Sequence, residues 1–279
     1  MTRHRPFVQV DVFSSAPYCG NPLAVVVDGT DISDDAMAQF ARWTNLSETT
    51  FLLPPTDPAA DYRVRIFTPG GELPFAGHPT LGSAHAWLDA GGAPRDPDVI
   101  VQQCGAGLVR VRRDGSRLAF AAPPMIKTGA LEAHELDVFT RALGIDPATV
   151  LDHQWVDNGP GWAVLRLPSA ADVLALEPDL AQIPDAMIGA IGPYPAGSEH
   201  DFEMRTFAPG VGVPEDPVCG SMNAGVGQWL LGSGHVSQSY TVSQGTRLAR
   251  AGEIAVVPDG DTVWVGGAST VCIRGDVLL

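Results

Sequence analysis

The sequence predicts an α+β protein of two similar domains, each a curved, mostly antiparallel sheet around one buried helix. Three observations carry this expectation. Apolar and polar residues alternate with period two in many short runs bounded by turn residues, among them FVQVDVF, LAVVVD, TTFLLPP, YRVRIFT, LVRVRR, WAVLRL, EIAVVP and VWVGGASTVCIRG. Two segments, HPTLGSAHAWLDAGG and SMNAGVGQWLLGSG, read as helices of small and apolar residues with almost no charge, and a helix of that composition is buried nearly all round. The stretches ahead of these helices are copies of one another. Arg65, Phe67, Pro69 and Gly70 recur as Arg205, Phe207, Pro209 and Gly210 at a spacing of 140, and Glu72, Pro74, Gly77 and Gly82 recur as Glu215, Pro217, Gly220 and Gly225 at 143. A period that long is no solenoid; it is an internal duplication of a whole domain, with a site expected in the cleft between the copies.

The elements follow in order. The opening MTRHRPFVQVDVF has basic residues, but its apolar positions alternate over too short a span for a signal-peptide core, so it reads as the first strand. SDDAMAQFARW carries a capping Ser33, acidic residues in its first turn and Met37, Phe40 and Ala41 on one face, which predicts an amphipathic helix. NLSETTF follows, a loop that leads into the next strand and can project Glu48 into a cleft. The GAGLVR stretch at Gly105 lacks a third glycine and sits between strands, so it is no dinucleotide loop.

Composition narrows the function classes. The 279 residues suffice for a substantial core without disulfides or metal. Seventeen basic against thirty-two acidic residues leave a net charge of −15, which argues against nucleic acid and anionic membrane as partners. No run approaches the roughly 18 apolar residues of a membrane span, and a cytoplasmic location is the default expectation. Cys19, Cys104, Cys219 and Cys272 lie far apart with no CxxC pair, and His85, His134, His153, His200 and His235 have no metal-ligand spacing. Reduced thiols and no metal site are therefore expected.

The duplicated motif has chemical content. Each copy places a glycine at a helix start, Gly77 and Gly220, followed by a residue able to exchange a proton, His78 and Ser221. The first N–H groups of a helix lack internal partners and carry the positive end of the dipole, so they suit a carboxylate, and glycine lets it approach closely. Two such starts facing one cleft would hold a small carboxylate-bearing substrate. Glycines present only for tight turns would look the same.

DVFSSAPYCGNPLAVV, NLSETTFLLPP, YRVRIFTPGGELPFAGHPTLG, EDPVCGSMNAG and the closing VWVGGASTVCIRGDVLL together resemble the PhzF-like family of phenazine biosynthesis, from the first strand to the last residue. The resemblance implies the diaminopimelate-epimerase-like fold: two pseudo-symmetric, barrel-like domains, here 1–124 completed by the final strand 266–279, and 125–265. It implies a cofactor-independent isomerase in which a glutamate, Glu48 here, shuttles a proton between carbons of a small carboxylate-bearing metabolite, and a homodimer. By motif, His78, Asp216 and Ser221 are the assisting catalytic residues, and Gly77 and Gly220 offer N–H groups to the substrate beside Cys219. Moving a proton between carbons needs one group that accepts it and returns it elsewhere, a task for a partly desolvated carboxyl. One departure stands out. The phenazine enzyme has threonine at Cys219, whereas racemases of this fold carry a catalytic cysteine there and another where this chain has Ala76. Cys219 is thus either a packing residue beside the helix start or, with Glu48, half of an epimerase pair. A small-acid binder that kept the cleft is the non-enzymatic alternative, against which intact Glu48, His78, Asp216 and Ser221 argue.

Overall fold

The computed structural model describes residues 2–279. The chain divides into two compact units: residues up to Ala121 together with Gly266–Leu279, and Ala122–Val265.

In the first unit, strand His4–Val12 lies antiparallel between Ser269–Leu278 and Asn21–Val26. Asn21–Val26 runs parallel to Thr49–Leu53, which pairs antiparallel with Tyr62–Thr68. Tyr62–Thr68 runs parallel to Val99–Cys104, from which Gly107–Asp114 and Arg117–Ala121 continue as a meander. Helix α1, Asp34–Thr44, starts at Ser33, whose Oγ accepts the Ala36 N–H, and packs Met37 and Ala41 on Phe51 and Phe67 outside the sheet. Helix α2, Gly77–Asp89, touches strands from both ends of the sheet, so the sheet curls around it. Such a position demands an uncharged, small-residue helix, and Leu81, Ala84 and Ala86 are fully buried. A Cβ on Gly82 would lie 2.6 Å from Leu23 Cδ2 and 2.8 Å from Val12 Cγ2; the missing side chain is what lets α2 sit against its strands. Two buried hydroxyls of α2 are paired: Ser83 Oγ donates to Thr50 Oγ1, and Gln102 Nε2 donates to Thr80 Oγ1.

The second unit repeats the order. Asp152–Asp157 pairs antiparallel with Ala163–Arg166, which runs parallel to Ile188–Pro193. Ile188–Pro193 pairs antiparallel with Phe202–Ala208, and Phe202–Ala208 runs parallel to Tyr240–Gln244, followed by Gly252–Asp259. Helices α3 (Ala133–Leu143) and α4 (Ala170–Leu174) cover the outer core of Leu143, Leu165, Val173, Ile188 and Phe207. Helix α5, Gly220–Gly232, is buried along most of its length and carries Gly225, whose Cβ would fall 2.3 Å from the Val156 carbonyl oxygen. Gly82 and Gly225 are the 143-residue pair, and each answers the same need for backbone approach.

Two sequence expectations change. VWVGGASTVCIRG is not one strand but two, Thr262–Gly267 and Ser269–Leu278, broken at Ala268. Helices α3 and α4 went unread: α4 is too short for periodicity to register, and α3 is announced by a Glu132/Glu135 capping box and a terminal Gly144 rather than by a long apolar stripe.

Candidate active site

The duplicated motif first explains its own glutamates. In each unit a short strand, Gly71–Leu73 or Val213–Asp216, folds back on the preceding one. Arg65 holds Glu72 through two hydrogen bonds of 2.8 and 2.6 Å, and Arg205 holds Glu215 through two of 2.9 Å. Each guanidinium also lies 5.0 Å over the ring of Phe67 or Phe207. Glu72 and Glu215 are therefore hairpin clamps, and of the two carboxylates in EDP Glu215 is the one an arginine holds. Asp216 Oδ1 accepts the Val218 N–H at 3.0 Å across Pro217, a side-chain turn that sets the entry to α5.

In the first unit Glu48 and His78 come together. The loop bearing Glu48 is pinned at both ends. Thr44 Oγ1 donates to the Ala41 carbonyl (3.0 Å) and lies 2.8 Å from Thr49 Oγ1, so Thr49 donates the bond that closes the loop. Glu48 is 14% exposed, and its Oε2 is 3.3 Å from His78 Nε2. His78 is buried, and burial pulls its imidazole far below the usual histidine value, to about 3. It is a neutral ring, so the contact is one between a carboxylate and a neutral imidazole rather than an ion pair, and it is off the line of a good hydrogen bond. On the other side of the ring, Asn21 Nδ2 donates to His78 Nδ1 at 3.3 Å. Asn21 is held by its own loop: buried Asp11 accepts the N–H groups of Cys19 and Gly20 at 2.7 and 2.8 Å. Helix α2 begins without any side-chain cap from Ala76, and Pro79 brings no N–H, leaving Gly77 and His78 as its leading donors.

In the second unit Cys219 and Ser221 meet at the start of α5. Cys219 is its N-cap and gives no side-chain cap. Its Sγ is 3.5 Å from Ser221 Oγ, and its N–H donates to Gln244 Oε1. Trp162 Nε1, nearly fully buried, donates to Ser221 Oγ at 2.9 Å, and Asn158 Nδ2 donates to the Ser221 carbonyl at 2.8 Å. An indole can only donate, so Ser221 Oγ accepts there and its own proton points elsewhere. The supporting loop is again tied by a buried aspartate, Asp157, which accepts the N–H groups of Gly159 and Gly161 at 2.7 Å.

Sequence reasoning missed Asn21, Asn158, Trp162 and Gln244. The first two had a signal: GNPLAV and NGPGWAV are a weaker extension of the repeat, each asparagine introducing a strand that contains Ala-Val. Gln244 serves α5 through Asn223 as Gln102 serves α2 through Thr80. Among the described residues no three His, Cys, Asp or Glu side chains gather as a metal-binding group, and no helix is long and apolar enough to cross a membrane. A cavity of about 510 Å³ lies beside the C-terminal end of α5, lined by Met125, Leu231, Val236 and Val263, and holds none of the site residues.

The architecture of the two units is the diaminopimelate-epimerase-like fold. The solved structure of a phenazine biosynthesis protein of the PhzF family from Enterococcus faecalis matches it with a TM-score of 0.84 at 23% identity, covering 99% of this chain and 100% of that one. In sequence, the chain is 40% identical to Antisense-enhancing sequence 1 of Schizosaccharomyces pombe, over 99% of each. It is 34% identical to trans-2,3-dihydro-3-hydroxyanthranilate isomerase of Pseudomonas chlororaphis, over 98% of this chain and 99% of that one. The family profile described as phenazine biosynthesis-like protein (PhzC-PhzF) matches residues 10–275, and the chain belongs to that family. It is an isomerase of small molecules.

Proposed function

We propose that this isomerase moves a proton, and with it a double bond, within a small carboxylate-bearing molecule of the cyclic amino-acid-like class, without a cofactor. Glu48 takes the proton from one carbon and returns it to another. His78 and Asp216 hold or relay protons on the substituents, Ser221 donates a hydrogen bond, and the N–H groups at Gly77 and Gly220, beside Cys219, receive the carboxylate. The carrying observation is the 3.3 Å approach of a partly buried Glu48 carboxylate to a neutral, buried His78 at an uncapped helix start. A neutral imidazole beside the base can lend or accept a proton without introducing a second charge. Negative charge developing on the substrate carboxylate as a proton leaves carbon would be met by fixed N–H dipoles.

The test is solvent deuterium exchange at carbon, offering trans-2,3-dihydro-3-hydroxyanthranilate first because relatives are named for its isomerisation. Glu48→Gln keeps the size of the side chain and removes the base; exchange should fall by about 10²- to 10⁴-fold. Cys219→Ala should leave most of it. The second reading, an epimerase using Cys219 with Glu48, is favoured by one contact, the 3.5 Å from Cys219 Sγ to Ser221 Oγ. Exchange abolished in Cys219→Ala yet surviving in Glu48→Gln would favour it and overturn the first. The functional unit we propose is a homodimer.

A further inference from the structure

We infer that Asn21 is a positioning residue for the reaction: it fixes His78 as the neutral tautomer protonated on Nε2 and so gives Glu48 and the bound substrate a hydrogen-bond donor. The inference rests on the isomerase reading of Glu48 and His78, but the tautomer stands on geometry alone.

A neutral imidazole carries one proton, and the partner of one ring nitrogen decides where it sits. His78 is buried on all sides, so both nitrogens must be served from within the protein or by ligand. Nδ1 faces the Asn21 amide at 3.3 Å, with the amide nitrogen toward the ring. That nitrogen only donates, so Nδ1 is the acceptor and the proton is left on Nε2. Nε2 is the atom 3.3 Å from Glu48 Oε2. The reverse arrangement, with the amide oxygen accepting from Nδ1–H, would turn an Nε2 lone pair onto a carboxylate oxygen. Two acceptors facing each other in a buried site repel, which selects the first arrangement.

The support behind Asn21 has the same purpose. Asn21 is fully buried and opens its strand, while Asp11 fixes the two preceding N–H groups. The anchored backbone places the Asn21 amide nitrogen against Nδ1, so the tautomer is set by a residue of the fold and not by the substrate. The consequence for turnover is directional. His78 meets the substrate as a donor through Nε2 and becomes an acceptor only after giving that proton away. Because Nε2 has no well-aligned protein acceptor, the proton is held ready for Glu48 or for a substituent of the substrate.

The experiment is long-range ¹H–¹⁵N correlation on protein labelled at histidine nitrogen, with His78 assigned by its loss in His78→Gln. The wild type is expected to show the Nε2–H tautomer at neutral pH. Asn21→Asp replaces the donor by an acceptor of the same shape and should move the proton to Nδ1; turnover of the dihydro-hydroxyanthranilate should then fall by about 10²-fold or more while most substrate binding survives. Should the aspartate variant fail to fold, Asn21→Leu removes the donor without charge and should give a tautomer mixture. A wild-type ring protonated on Nδ1, or a tautomer indifferent to Asn21, overturns the inference. An Nε2–H ring that responds to Asn21 in a protein that does not turn over the dihydro-hydroxyanthranilate would leave the tautomer assignment standing and count against the function proposed above.

Discussion

His78 should make folding stability depend on pH in a way that a single substitution can isolate. In the unfolded chain its imidazole titrates near 6.5; in the folded protein burial holds it to about 3. Below the unfolded value the unfolded chain binds a proton that the folded one refuses, so this stabilisation is complete above pH 6.5 and is lost as the pH falls toward about 3. Within that window each pH unit costs about 1 kcal/mol or slightly more. Between about pH 7.5 and about pH 4.5, wild type should therefore lose about 3 kcal/mol that His78→Gln does not lose. Carboxylates also titrate here, and half-buried His85 is shifted in the same direction, but both proteins share those groups and subtraction removes them. Urea unfolding at the two pH values gives the four stabilities needed. The neighbouring carboxylate pulls the other way, since an ion pair with Glu48 would favour imidazolium. Burial should win because a charged pair there must desolvate two ions over a poorly aligned contact. A difference between the two proteins that does not change with pH would show that His78 takes up its proton in the folded state, and would refute this account of the site.

The two copies of the Arg–Glu clamp offer a controlled comparison. Arg205 is 4% and Glu215 13% exposed, against 16% and 42% for Arg65 and Glu72; Arg205→Met should cost about 3–5 kcal/mol by stranding a buried carboxylate, and Arg65→Met no more than about 1, with equal losses in urea unfolding contradicting the burial argument. Gly225→Ala must push a methyl to within 2.3 Å of the Val156 carbonyl, so a loss of about 1–3 kcal/mol or failure to fold is expected, and a thermal midpoint matching wild type would show that α5 moves freely. Light scattering should report twice the 29.3 kDa chain mass at all working concentrations, and a single-chain mass throughout would remove the homodimer.

The sequence by itself determined a good deal. Period-two runs marked His4–Val12, Thr49–Leu53 and Tyr62–Thr68 as strands, and the lack of charge in α2 and α5 marked them as interior helices. Both are local signals, because a side chain's burial follows from its position along one element. The duplication also exposed Gly77, His78, Gly220 and Ser221 as helix starts, since identical spacing needs no knowledge of contacts. Only the tertiary structure decided which carboxylates an arginine clamps. Glu72 and Glu215 look as reactive in sequence as Glu48 and Asp216, yet each is bound by an arginine on the neighbouring strand. Likewise Asn21 reaches His78 across 57 residues and Trp162 reaches Ser221 across 59. A hydrogen bond selects partners by distance in space, and no periodicity along the chain records which donor the fold will bring within 3 Å of which acceptor.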